Sequence, residues 1–150
     1  MAEEKEELTE SIEDEHSLKI YNKLEGSSAF GEIVNLAENH AEVLFRTDES
    51  MGTDNEGLIH PGFIFSSASF CALAAINNPN SVIISSDVKF LSPLEVGNEV
   101  HFFAKVLQQD SKKREVKING TYLGLKVFEG VFHIAVFDKH ILKMKISGKV

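Results

Sequence analysis

The stretch GLIHPGFIFSSASFCALAAINN, residues 57–78, sets one histidine and three serines among small and apolar side chains, with Asp54 just upstream. A serine attacks only when a base takes its proton. His60 and Asp54 are the candidate bases here, and Ser66, Ser67 and Ser69 the candidate hydroxyls. A helix rises 1.5 Å per residue, which separates His60 from Ser69 by about 13 Å. The two could therefore meet only across a dimer interface or through a loop folding back, and packing or ligand hydrogen bonding suits the serines better than attack. His60 is either a structural hydrogen-bonder at a helix start or a ligand contact. Asp54, in TDNEG, is either a general base or nucleophile or a turn former. A developing oxyanion would be met by the N–H of Gly62 or Phe63, groups without an intrahelical partner at the positive end of a helix.

These residues need a helix to place them. Pro61 is acceptable in a first turn, and Pro79 in NNPN cannot propagate a helix, which predicts one over about 60–76. No Asp, Glu, Lys or Arg occurs between Gly57 and Ser86. A helix apolar on most of its circumference must be wrapped by other elements. Period-two patterns supply the wrapping: AFGEIVNL and AEVLFRT as a hairpin, then Ser81–Leu91, Glu99–Gln109, Glu115–Gly124, Lys126–Phe137 and a short strand at Ile141–Ile146. The order predicts an α+β domain, an antiparallel sheet of five to six strands around one long central helix.

The charge of −8 is unevenly spread. Residues 1–16 hold eight acids against Lys5, a net of −7, which leaves about −1 for the rest. We read residues 1–17 as an acidic flexible arm that ends in a helix near Leu18–Leu24, and 18–150 as a single domain. The arm is either a solvated tail or a docking arm for a protein partner. A nearly neutral domain argues against nucleic acid, which needs a basic stripe. The longest apolar run, Gly62 to Ile76, falls short of the roughly 20 residues a bilayer requires. No export signal opens the chain, so a cytoplasmic protein is expected. Cys71, inside the apolar helix, reads as a buried inert thiol. His16, His40, His101, His133 and His140 are scattered, without metal-ligand spacing, and no metal is expected.

The central stretch resembles the hotdog fold, over roughly residues 18 to 140. His60, Gly62, Phe63, Ile64, Phe65, Ser66 and Ala68 match the H-G-G-F-I-F-S-L-A-D run of phenylacetyl-CoA-type thioesterases, whose catalytic Asp falls on Ser69 here. DNEGLI offers Asp54 and Gly57 at the spacing of the 4-hydroxybenzoyl-CoA branch. The Glu of the hotdog dehydratases falls on Ser67. IFSSAS and SSDVKF are similar to pieces of the effector domain of the malonyl-CoA-responsive repressor of fatty-acid synthesis, whose carboxylate-holding Arg and Asn fall on His60 and Ser69. The small hotdog proteins co-expressed with flagella in epsilon-proteobacteria are similar along the whole length.

The resemblance implies a homodimer that binds an acyl thioester such as acyl-CoA between the helix and facing strands, with dimers able to pair again. It implies ligand contacts at His60, Gly62, Phe63, Phe65, Ser66 and Ser69, and at Lys112, Lys113 and Arg114 for phosphates, with no other cofactor. With Ser69 in place of the acid, a non-catalytic or weakly catalytic sensor or carrier is the first expectation. A thioesterase using Asp54 is the second, and an interaction module the third. Where many thioesterases of this fold carry Arg before Pro, Ser92 stands here.

Overall fold

Strict alternation in HAEVLFR turns Ala41, Val43 and Phe45 inward, each with no exposed surface. The computed structural model describes residues 18–108 and 111–148. Strands β1 (Glu32–Ala37) and β2 (His40–Arg46) form the first hairpin, and Asn39 takes the left-handed conformation its turn requires, φ 61°. A single 3₁₀ turn at Glu49–Met51 follows, capped by Asp48, and then helix α1 (Pro61–Ile76). Strands β3 (Ser81–Phe90), β4 (Glu99–Val106), β5 (Lys113–Tyr122) and β6 (Leu125–Val136) lead to a second helix, α2 (Ile141–Gly148).

The strands make one six-stranded sheet in the order β1-β2-β4-β5-β6-β3, with every pairing antiparallel. Its inner face supplies Val100, Phe102 and Ala104 from β4, Val116 and Ile118 from β5, and Phe128, Phe132 and Ile134 from β6, all without exposed surface. α1 lies on this face, packed mainly on β2 and β4. Phe102 and Phe128 meet edge to face at 5.8 Å, a favoured geometry for aromatic rings. Each such buried ring contributes about 1.5–3 kcal/mol. A methyl group on Gly120 would fall 2.8 Å from the Phe102 ring, so this part of the core depends on a residue without a side chain.

The expected helix at Leu18–Leu24 is not formed: 18–22 have no regular structure and 23–26 turn. Tertiary contacts take the backbone groups a helix would have used. Asn77, left-handed at the end of α1 (φ 50°), accepts the N–H of Tyr21 at 3.2 Å and donates its amide to the carbonyl of Lys19 at 2.9 Å. The chain then runs on to Phe30, whose ring packs 5.9 Å from Phe70 and whose carbonyl accepts the buried Ser67 hydroxyl at 2.9 Å. The expected strand at Ile141–Ile146 is also corrected: those residues lie in α2. β6 already has β5 on one side and β3 on the other, so no edge beside it was free. The acidic arm of residues 1–17 lies outside the described residues. Among the described residues, no helix is long and apolar enough to cross a membrane.

Candidate functional site

The outward face of α1 follows from its period. Gly62, Ser66, Ser69 and Leu73 recur at intervals of three and four; Gly62 is exposed and the other three half-buried. Their polar atoms are already engaged within the helix. The Ser66 hydroxyl donates to the carbonyl of Gly62 and the Ser69 hydroxyl to that of Ser66, each at 2.8 Å. Such bonding back to the preceding turn is typical of a serine inside a helix. Each hydroxyl oxygen keeps its lone pairs for an incoming donor.

His60 is the N-cap of α1, and its Nδ1 accepts the N–H of Gly62 at 2.8 Å. The Phe63 N–H donates to the His60 carbonyl at 3.1 Å. The expectation that these two amides are unpaired is therefore overturned, because the cap side chain and a tightened first turn take them up. The His60 ring stands edge-on to Phe63 at 6.4 Å. Phe65 turns toward the sheet, 5.5 Å from Phe132, and so belongs as much to the core as to the helix face.

Asp54 is exposed, and its Oδ1 accepts the N–H groups of Glu56 at 3.0 Å and Leu58 at 3.2 Å. That is the turn-forming role of an Asp in such a loop. The loop is pinned further by Thr53 N–H to the Leu58 carbonyl at 2.7 Å and by His60 N–H to the Met51 carbonyl at 2.9 Å.

The basic residues 112–114 are not beside His60. Val136 N–H donates to the Lys112 carbonyl at 2.7 Å and Phe137 N–H to the Asn80 carbonyl at 3.0 Å, which sets them near the other end of α1. Lys113 is exposed. Lys112 pairs with Asp138 at 3.5 Å in full solvent, and the Arg114 guanidinium donates to the Ser111 carbonyl at 3.2 Å.

The outer face of the sheet holds a group that sequence reasoning missed. Glu42 on β2 receives Asn35 at 2.6 Å and lies 3.0 Å from His40 Nε2 and 3.1 Å from His101 Nε2. Burial pushes its carboxyl up, but hydrogen bonds from His40 and Asn35 and the charges of His40 and His101 outweigh this and hold it below the usual carboxylate range. His101 stacks on Phe103, with centroids 4.1 Å apart. Strand register alone assembles these residues, and the available signal was the alternation of HAEVLFR and EVHFFAKV, which puts His40, Glu42 and His101 on polar faces. Among the described residues, no group of three or more His, Cys, Asp or Glu is placed to hold a metal ion.

One long helix across a curved antiparallel sheet defines the hotdog class, and E. coli PaaI shares the fold at TM-score 0.67 and 19% identity, over 73% of this chain and 80% of its own. The sigma28-regulated virulence protein Cj0977 of Campylobacter jejuni is 38% identical, over 77% of this chain and 90% of its own, at TM-score 0.75. The chain belongs to the hotdog family that includes Cj0977. No protein-family model matches the chain. Of curated proteins, methylthioribose-1-phosphate isomerase of Aquifex aeolicus is 45% identical over 102 residues; the match takes in 68% of this chain but spans only 22% of that relative's length. Transcription factor FapR of Caldanaerobacter subterraneus is 24% identical over 140 residues, 93% of this chain and 70% of its own.

Proposed function

We propose that this protein binds an acyl thioester such as acyl-CoA and acts as a sensor or carrier rather than a hydrolase. The observation that carries the reading is the state of Asp54, whose Oδ1 is held by two amides of its own loop. Thioester hydrolysis needs a carboxylate or an activated water at the carbonyl carbon. The α1 face carries no carboxylate, and Nδ1 of His60 is occupied by Gly62. What that face does offer is hydroxyl oxygens, small residues and the aromatic edges of Phe63 and Phe65, a lining suited to holding an acyl chain.

The similarity to FapR over most of the chain supports a regulatory use. The ligand lies between α1 of one copy and its partner in a cytoplasmic homodimer. β3 supports that assembly: it is an edge strand with Ile84 and Phe90 about half exposed, surface that a second copy would cover.

Native mass spectrometry of the freshly purified protein with a short panel of acyl-CoAs, following bound mass and free CoA, tests the reading. We expect intact acyl-CoA retained on a dimer with no CoA released. Steady release that disappears in Asp54→Ala would make the protein a thioesterase. Neither binding nor release would leave an interaction module.

A further inference from the structure

We propose that the free edge of β1 is a docking groove for an extended basic peptide of another protein, taken up as an added strand. β1, EIVNLA, ends the sheet order and pairs with β2 alone. An edge strand leaves half of its backbone N–H and C=O groups without a ladder partner, a template on which another chain can pair. The segment that precedes β1 does not use them: among the described residues, the hydrogen bonds of 18–30 stay within that segment or reach α1 and its cap Asn77. Edges are commonly blunted by Lys or Pro, and β1 has neither. It does carry a bulge between Ile33 and Asn35, but the residue at the bulge is Val34, apolar and 49% exposed.

Beside this edge lies a groove of about 580 Å³, lined by Leu18 and Ile20 from the preceding segment and by Ile33, Val34 and Leu36 from the strand. In strand addition, main-chain hydrogen bonds hold the peptide and the groove receives its alternate side chains, which suits an aliphatic lining. The six residues of β1 measure about 20 Å, so a partner of about the same length would pair along all of it.

Charge selects the occupant. The charged residues of the lining are Glu25 and Glu42, and Glu32 and Glu38 stand exposed on β1 and in its turn. Lys19 and Lys23, exposed on the preceding segment, lie outside the lining. Glu42 accepts Asn35 at 2.6 Å and touches His40 and His101, whereas Glu25 takes part in no ion pair among the described residues. A peptide with Lys or Arg between apolar residues answers both the aliphatic lining and the carboxylates. A second copy of this chain, at −8, would bring more negative charge to an acidic edge. β1 stands at the opposite end of the strand order from β3, the edge given to the second copy, so the groove is independent of the acyl-thioester reading.

The test is calorimetric titration of the full chain with the synthetic peptide acetyl-Val-Lys-Val-Lys-Val-Lys-amide. The comparators are its Val-Glu counterpart, the same Val-Lys peptide N-methylated at every backbone amide, and hexylamine. We expect the Val-Lys peptide to bind at least about tenfold tighter than each comparator and to slow amide exchange in β1. Glu25→Gln/Glu42→Gln should bind it about tenfold more weakly, while Glu49→Gln/Glu115→Gln, which removes the same charge at exposed positions outside the groove, should bind like the native chain. Val34→Lys, which gives the edge the blunting residue it lacks, should also lose about tenfold, and it carries the test if the melting curve shows that the first double variant does not fold. No binding by the native chain at millimolar peptide overturns the proposal. Equal binding of the N-methylated peptide would mean charge attraction without a ladder, and equal binding of hexylamine a small-amine site; either overturns it, as does equal weakening in the control variant.

Discussion

Asn77 and Tyr21, 56 residues apart in sequence, are joined by a hydrogen bond of 3.2 Å from the Tyr21 amide to the Asn77 side chain. The same side chain donates to the Lys19 carbonyl, so one residue both ends α1 and holds the N-terminal approach to the domain. Asn77→Gly keeps the left-handed conformation but loses both clamps. We expect it to cost about 1–2 kcal/mol and to raise amide exchange at Tyr21. Unchanged exchange there would show that the clamp does not hold in solution.

His60 caps α1 through Nδ1. His60→Ala should lower stability by about 0.5–2 kcal/mol, and His60→Asn should restore most of it, since both residues cap through a side-chain acceptor. Thermal melts of the three proteins check this. Recovery of stability by Asn without recovery of acyl-CoA affinity would assign the imidazole a contact with ligand in addition to the cap.

Glu42 predicts an acid-sensitive contribution. Its carboxyl titrates below its ordinary value in the folded chain, so the folded state binds fewer protons than the unfolded one as pH falls toward that range. The contribution is complete above the unfolded value of about 4.3 and is lost as pH falls through the lower folded value. The stability difference between the native chain and Glu42→Gln, measured by urea denaturation, should be largest near neutrality and shrink below about pH 4.3. A difference that grows on acidification would contradict the assignment.

Gly130 sits where β6 meets the edge strand β3. A methyl group there would come 2.6 Å from the Asp87 carbonyl oxygen and 2.6 Å from a Val88 methyl. Gly130→Ala should destabilise the domain by roughly 1–3 kcal/mol through forced displacement of β3. Since β3 is the edge proposed to meet a second copy, the variant should also weaken dimerisation, which sedimentation equilibrium would read.

Cys71 has no exposed surface and lies 3.5 Å from the carbonyl of Ala41; burial, helped by the charge of Glu42, pushes its thiol well above the ordinary range. A thiol reagent should leave the native protein unmodified and label one site per chain after denaturation. Rapid labelling of the native protein would mean that α1 opens.

The sequence by itself determined the central helix and the sheet. A stretch without charge that opens with Pro61 and stops before Pro79 has little choice but a wrapped helix, and the alternation of β2, β4 and β5 assigns each residue a face because strand side chains repeat every two. Local pattern failed where the partner decides the outcome. ILKMKI alternates like a strand, yet with both sides of β6 taken it closed into α2. Residues 18–22 carry an intermittent helical pattern, yet Asn77 claims part of their backbone.

The candidate site divides in the same way. Residue types at positions 60–69 are legible as a charge-free helix carrying serines on one face, whereas the pairing of the Gly62 and Phe63 amides and of the Asp54 carboxylate depends on turn geometry that composition does not record. Most remote from the sequence are the contacts made by register. Glu42 meets His101 only because β2 and β4 pair at one offset, and a hydrogen-bonded ladder fixes that offset only once the chain has folded.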